Sequence, residues 1–392
     1  FQYYYYKFLD LGDWHPLKSN KARSLKNSNK HILIVSSEFP PLPGGIGNHA
    51  FNLGMQLHNA GFKVEVLTNY RAKEKSKEDT FDISIPLQIY RISQRKYLKR
   101  IWQYCRLRKE NNYWTVIATG KFSLWMVGVM QLFFSSKNLA IVHGSELLPT
   151  SIKNKIVTNF SLSKFNKIIA VSDFTKNLLH DKFKSKTEVI TNGYNSEVFS
   201  PNNQNFTKNK SKKLHLITVG AVSQRKGQHN VISKLPELIE QYPNIQYHIV
   251  GIPTEKERLI LLATKLKVID HITFYGELPQ KELLALLIKS DIFVMLSENT
   301  ANGEVEGFGI AILEANALGI PVVGSTGCGI ESAIKNNYSG SLIDAASSTE
   351  FLVAIKGIIE NYNEYSVNSK TWAKLHTWEK VGEKYAELID QL

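Results

Sequence analysis

Glu306-Gly-Phe-Gly-Ile-Ala-Ile-Leu-Glu314, continuing as Ala-Asn-Ala-Leu-Gly319-Ile-Pro321-Val-Val323, is the stretch on which the reading of the chain turns. It sets two carboxylates apart by seven residues. Gly307 and Gly309 precede an apolar run at helical spacing (Ile310, Leu313, Ala317), Gly319 ends it, and Pro321 opens a Val-rich strand. That is the chemistry of a helix start, a helix stop and a following strand. The pattern predicts Glu306 in the loop before the helix and Glu314 on its second turn. Free N–H groups at such a helix start favour an anion. Two carboxylates beside the anion would repel it, unless they touch a neutral, hydroxyl-rich part of the same ligand. A sugar joined to a diphosphate and a ribose has that form.

The totals bound the rest. A chain of 392 residues, 43% hydrophobic, is long enough for two or three domains with full cores. Cys105 and Cys328 stand far apart and in no ligand cluster, which predicts a reducing compartment and no disulfide framework. The longest apolar run, residues 122–134, is too short to span a bilayer and predicts a core helix. The net charge of +13 is uneven. Residues 1–200 carry 29 Lys/Arg against 14 Asp/Glu, and the remainder 19 against 21. A basic first half predicts an anionic partner on that side.

Residues 1–30 are lysine-rich, without periodicity, and predict a loose arm. Strand patterns follow at 31–37, 62–68, 113–119, 139–142 and 168–172, alternating with helical ones. Between the first two lies Pro40-Pro-Leu-Pro-Gly44-Gly45-Ile-Gly47 and a helix with Phe51, Leu53 and Leu57 inward, a β-loop-α-β unit with glycines at the turn. Residues 91–109 interleave Tyr97, Leu98, Ile101, Trp102, Tyr104 and Leu107 with many Lys and Arg. A helix there either lies on an anionic leaflet, through residues 95–109 (Arg95, Lys96, Lys99, Arg100, Arg106, Arg108 and Lys109), or packs on a core with a solvated basic back. No nucleic-acid recognition motif accompanies the charge, and no nucleic-acid partner is expected. His143-Gly-Ser-Glu146 stands at a strand's carboxyl end, where open α/β sheets keep ligands. Residues 201–213 read as a linker. Strand patterns at 214–219, 245–250, 271–274, 292–296 and 321–324 then predict a second parallel sheet, and 347–392 is helical by period. After the first of these strands comes Gly220-Ala-Val-Ser-Gln-Arg225-Lys226-Gly227, whose cations suit a diphosphate leaving group.

The Glu306 to Glu314 string resembles the Glu-x7-Glu motif of retaining, nucleotide-sugar-dependent glycosyltransferases of family 4. The Gly45/Gly47 loop, His143-Gly, Asn192-Gly-Tyr-Asn, Gly324-Ser-Thr-Gly-Cys-Gly and Trp378-Glu379 resemble segments of the same family, so the likeness runs over roughly residues 31–390. It implies the α/β GT-B fold: two facing Rossmann-like domains with parallel sheets and an active site in the cleft. Residues 31–200 would form the acceptor domain and 214–370 the nucleotide-sugar domain, with a C-terminal helix within 371–392 crossing back onto the first.

By the same resemblance, His143, Glu306, Lys226 and Arg225 are the catalytic candidates. Gly45, Gly47, Gly307, Phe308, Gly309, Ile310 and Glu314 are the donor-binding ones, Glu314 toward base and ribose. Many family members carry Arg where Ala221 stands, which leaves open whether Arg225 replaces it. The implied reaction is hexosyl transfer from a GDP-mannose-like or UDP-sugar donor to a saccharide or lipid-linked acceptor. It proceeds by same-face displacement, with the departing phosphate taking the acceptor's proton. No cofactor or metal is expected, there being no Asp-x-Asp, and the expected location is cytoplasmic, peripheral to the membrane. A sugar-nucleotide epimerase and a non-catalytic sugar-nucleotide-binding member of the fold are the rival expectations.

Overall fold

The computed structural model describes residues 30–148, 151–200, 213–301 and 303–392. The expected N-terminal arm and linker lie outside the described residues, apart from Lys30 and Lys213. The described chain divides into two compact units: Thr191–Thr377, and the residues up to Ile190 joined by Trp378–Leu392.

The first unit is built on seven parallel strands: β1 (His31–Ser36), β2 (Lys63–Asn69), β3 (Gln88–Ile92), β4 (Thr115–Thr119), β5 (Lys137–Val142), β6 (Lys167–Ala170) and β7 (Thr187–Val189). Their order is β3-β2-β1-β4-β5-β6-β7, the doubly wound arrangement whose strand order reverses beside β1. Every residue of β1 is buried, as a central parallel strand covered on both faces demands. Helix α1 (Gly45–Asn59) begins inside the glycine run, so Gly45 and Gly47 form its first turn and not a loop ahead of it. The chain continues through α2 (Ser76–Ile83), α3 (Tyr97–Glu110), α4 (Lys121–Met130), α5 (Ile152–Ser163) and the short α6 (Asp173–Asn177) and α7 (Asp181–Lys184).

The 122–134 run is helical only to Met130; Leu132 and Phe133 lie beyond α4 and are exposed. The basic stretch is divided by the fold. Arg91 is in β3, its side chain buried and paired with Glu78 at 2.9 Å and Asp82 at 2.7 Å. Arg100 turns inward with Tyr104 and Leu107, whereas Leu98, Lys99, Trp102, Arg106 and Lys109 face outward.

The second unit repeats the plan with β8 (His215–Val219), β9 (Gln246–Val250), β10 (Ile272–Gly276), β11 (Ile292–Met295), β12 (Val322–Ser325) and β13 (Gly340–Ile343), ordered β10-β9-β8-β11-β12-β13. Its helices are α8 (Gln228–Gln241), α9 (Lys256–Lys265), α10 (Gln280–Lys289), α11 (Ile310–Ala317), α12 (Ser348–Glu360) and α13 (Tyr362–Ala373). Helix α14 (Trp378–Gln391) belongs to the first unit. Its stripe of Trp378, Val381, Tyr385, Leu388 and Ile389 is buried, with Gly382 against Gln56 of α1. Each such large side chain contributes about 1.5–3 kcal/mol by leaving water. No described helix is long and apolar enough to cross a membrane.

Arg91 ties the loop after β1 to the sheet, since it also donates to the Pro40 carbonyl. Glu78 accepts from the Arg71 and Ala72 amides as well, at 3.0 Å each. Removing the guanidinium leaves two carboxylates at this site without their cation. Arg91→Ala is therefore expected to lower unfolding free energy by about 3–5 kcal/mol. Urea denaturation of purified protein measures this, and a loss under 1 kcal/mol would contradict it.

Candidate active site

In the second unit three loops meet at the carboxyl ends of β8, β11 and β12. The first leaves β8 at Gly220 and makes a single 3-10 turn, Gln224–Lys226, before α8. Gly227 closes that turn at φ 73°, where a Cβ would strike the Leu296 carbonyl, so only glycine fits. The second loop carries Glu306, Gly307 and Phe308 to Gly309, the N-cap of α11. The third follows β12; its Gly329 N–H donates to the Glu306 carbonyl at 2.8 Å, and a Cβ on Gly329 would collide with the Gly307 carbonyl.

These approaches bring Arg225, Lys226 and Glu306 into one cluster. The Arg225 guanidinium pairs with Glu306 Oε2, and Lys226 Nζ lies 3.0 Å from the same oxygen. Glu306 and Glu314 are each 8% exposed. Burial, with Arg225 alongside, pushes the Lys226 ammonium down to about 7, against the opposing pull of Cys328 and Glu314. Burial pushes the Glu314 carboxyl up to about 8, against the pull of Lys226. At neutral pH Glu314 is mostly protonated and uncharged. The repulsion that two carboxylates would exert on an anion is thus removed twice over, by pairing at Glu306 and by protonation at Glu314. Phe308 is buried, whereas Gly307 and Ile310 are half-buried at the start of α11. That helix carries no acid in its first turn and no side-chain cap, which leaves its first amides for a ligand.

Glu298, just past β11, has no sequence signal to mark it. It accepts from Gln224 at 2.7 Å and Asn230 at 3.2 Å, pairs with His229 at 3.3 Å, and its own N–H donates to the Arg225 carbonyl. It thereby fixes the turn that presents Arg225 and Lys226. Ala221 accepts at its carbonyl from Gln228 at 3.0 Å. Among the described residues no three His, Cys, Asp or Glu side chains gather as metal ligands.

The first unit places His143 at the carboxyl end of β5, half-buried. Its Nε2 shares a 2.9 Å hydrogen bond with Thr119 Oγ1, and its backbone N–H donates to Glu146 at 3.0 Å. Burial first, and His49 second, hold its pKa well below the ordinary histidine value, so the ring is neutral. His49 of α1 meets it edge to face at 5.1 Å and is bonded in turn to the Tyr385 hydroxyl at 3.3 Å. Sequence reading picked the glycines of α1 and passed over His49, whose partners His143 and Tyr385 lie far off in the chain. Gly47 is buried, and a Cβ there would crowd the Phe39 amide at 3.2 Å, whereas Gly45 is exposed with open space around it. Arg71 donates to the Leu42 and Pro43 carbonyls and holds the loop that leads into α1.

Comparison with known proteins agrees with this architecture. The family described as Glycosyltransferase Family 4 matches residues 43–198, and that described as Glycosyl transferases group 1 matches residues 180–374. A GDP-mannose-dependent alpha-(1-6)-phosphatidylinositol monomannoside mannosyltransferase of Mycolicibacterium smegmatis is 24% identical over 381 residues, covering 91% of this chain and 98% of the relative. The sucrose-phosphate synthase of Thermosynechococcus elongatus is similar in fold, with a TM-score of 0.74 at 19% identity over 93% of this chain and 99% of that one. So is Anabaena HepE, solved in complex with UDP and glucose, with a TM-score of 0.74 at 18% identity over 93% and 100%. Two Rossmann-like units, the sequence motifs at their strand ends and the matched families place this chain among the family 4 glycosyltransferases of the GT-B fold.

Proposed function

We propose that the protein is a retaining hexosyltransferase that takes its sugar from a nucleoside diphosphate and passes it to a saccharide or lipid-linked acceptor in glycolipid or cell-surface polysaccharide biosynthesis. The observation that carries this reading is the pairing of Arg225 and Lys226 on the single carboxylate of Glu306. Two cations on one buried anion leave a local positive excess that an arriving diphosphate would satisfy. On its arrival the cations would turn to the phosphates and free Glu306 to face the sugar. The amides at the start of α11 would add to the same charge, and uncharged Glu314 would offer hydrogen bonds to the ribose. Charge grows on the leaving diphosphate in the transition state, and preset donors stabilise it there more than in the ground state. In this reading the departing phosphate takes the acceptor's proton, and neither a metal nor a protein nucleophile is needed.

A GDP-mannose-like donor is favoured by the mannosyltransferase relative, which spans nearly the whole chain, and a UDP-sugar by the likeness to HepE. Neutral His143, held by Thr119, is assigned a hydrogen-bonding role toward the donor sugar. Supporting a peripheral position on the cytoplasmic face of a membrane, α3 turns Leu98, Trp102, Lys99, Arg106 and Lys109 outward. Arg100 is excluded from that face by its burial.

Calorimetry with GDP, UDP and ADP tests the donor site. One nucleotide is expected to bind selectively, and Lys226→Ala to weaken it by about 10–100-fold, as loss of a charged hydrogen bond does. Glu314→Ala should weaken it too, and Glu306→Ala should abolish transfer while nucleotide binding persists. Unchanged affinity in Lys226→Ala, or full transfer in Glu306→Ala, would remove that residue from the mechanism.

The pH dependence has a definite sign. Diphosphate binding needs Lys226 charged, and its ammonium titrates at about 7 in the free protein. Affinity should therefore fall as pH rises above 7, by at most about tenfold per unit from Lys226 and more steeply above about 8, where Glu314 ionises as well, with proton uptake on binding. Lys226→Arg should flatten the profile between about pH 6 and 8 and leave only the Glu314 part above it, and an unchanged slope around pH 7 would contradict the assignment. For the membrane face, reversing Lys99, Arg106 and Lys109 to Glu should cost about 1 kcal/mol or more per residue in binding to anionic vesicles. Equal binding by parent and variant would leave α3 a solvated helix.

A further inference from the structure

At the carboxyl edge of the first unit's sheet lies a cavity of about 270 Å³ lined by Asn69, Gln94, Arg95, Lys96, Tyr97 and Arg100. Three of its six lining residues are cationic and none is acidic. Arg100 is 2% exposed and donates through Nη2 to the Ser36 carbonyl at 2.6 Å and to Ser123 Oγ at 2.9 Å. Its Nε is buried and has no hydrogen-bond partner, and no described carboxylate pairs with the guanidinium. A buried guanidinium without a counter-charge is costly unless something else supplies one.

Helix α3 also begins at this cavity. Its N-cap Lys96 gives no side-chain cap and its first turn holds no acid, so unsatisfied amides add to the positive field. Arg95 stands at φ 60°, an unusual conformation for a residue with a side chain. Ser36 and Ser123 connect the cavity to the ends of β1 and α4, and Ser37 Oγ lies 3.1 Å from Ser123 Oγ, next to the loop that leads into α1.

We propose that this cavity binds a phosphate group of the acceptor, as a monoester or diester, with Arg100 as its buried anchor and Arg95, Lys96 and the α3 amides completing the shell. The proposal rests on the glycosyltransferase reading and adds the chemical class of acceptor: a phosphorylated one. The phosphate could come from a soluble sugar phosphate or from a lipid headgroup, and both present the same oxyanion.

The test titrates inorganic phosphate into the full chain held at saturating concentration of whichever nucleoside diphosphate it binds, so that the donor site is blocked. Phosphate is expected to bind, and the double variant Arg95→Ala/Lys96→Ala to weaken it at least about tenfold. Both side chains are exposed, so the fold should stand, and nucleotide affinity in the variant should match the parent. Arg100→Gln should abolish phosphate binding, but the surface pair carries the test should that variant fail to fold. Glucose 1-phosphate and a short-chain phosphatidic acid then separate the sources: tighter binding of either, lost in the double variant, supports the site and names its origin. Absence of phosphate binding in the parent, or binding indifferent to both surface substitutions, would overturn the proposal. Failure of nucleotide binding alone would instead strike the donor reading and leave this measurement standing.

Discussion

One carboxylate shared by two cations within a largely buried cluster is the constraint on which the second unit depends. Arg225 and Lys226 can share Glu306 only because the turn after β8 is a single 3-10 turn held against β11. That closeness in turn requires Gly227 against the Leu296 carbonyl and Gly329 against the Gly307 carbonyl. Any side chain at these points would push the loops apart and separate charges that the low dielectric makes dependent on one another. The six-stranded sheet sets the three loops at its carboxyl edge, and Glu298 locks the cationic turn from beneath. Catalysis in this account consists of exchanging one counter-ion for another, which needs little movement from a site already arranged.

The first unit uses buried arginine differently. Arg91 is fully matched by Glu78 and Asp82 and secures the loop that leads into α1, so it is structural. Arg100, equally buried, has carbonyl and hydroxyl partners but no counter-charge, and burial pushes it down to about 10. The difference between two arginines nine positions apart is the difference between a finished ion pair and an unfinished one. It explains why the basic excess of the first 200 residues is only partly a surface property. Some of that charge is spent inside the sheet's carboxyl edge, and the outward face of α3 carries a smaller share than a count of residues implies.

The fold was legible because parallel sheets buried on both faces leave plain apolar runs, as at His31-Ile-Leu-Ile-Val, and because glycines mark the turns between strand and helix. β3, β7 and β13 escaped such reading, and β7, Thr187–Val189, is only three residues long. Gln88-Ile-Tyr-Arg-Ile is a half-exposed edge strand, and Gly340-Ser-Leu-Ile is too short to show a period. The Glu306 to Glu314 spacing and the Arg225-Lys226 pair were readable because local motifs carry them. Their mutual pairing was not, because contacts across 81 residues leave no trace in a single sequence. His49, Glu298 and the inward turn of Arg100 were invisible for the same reason: each is defined by neighbours distant in the chain. The basic, aromatic 91–109 stretch shows the converse hazard, in which a uniform composition conceals a strand, a buried guanidinium and an outer face.

Proton NMR of sugar nucleotides incubated with the protein and a mixed pool of phosphorylated and lipid-linked acceptors is the most direct test of the central claim. The account predicts that one donor loses its anomeric signal, that free nucleoside diphosphate appears in step, and that the transferred sugar keeps the donor's anomeric configuration. All three should vanish in Glu306→Ala. Conversion of the donor to an epimeric sugar nucleotide, an inverted product, or turnover that survives Glu306→Ala would contradict it.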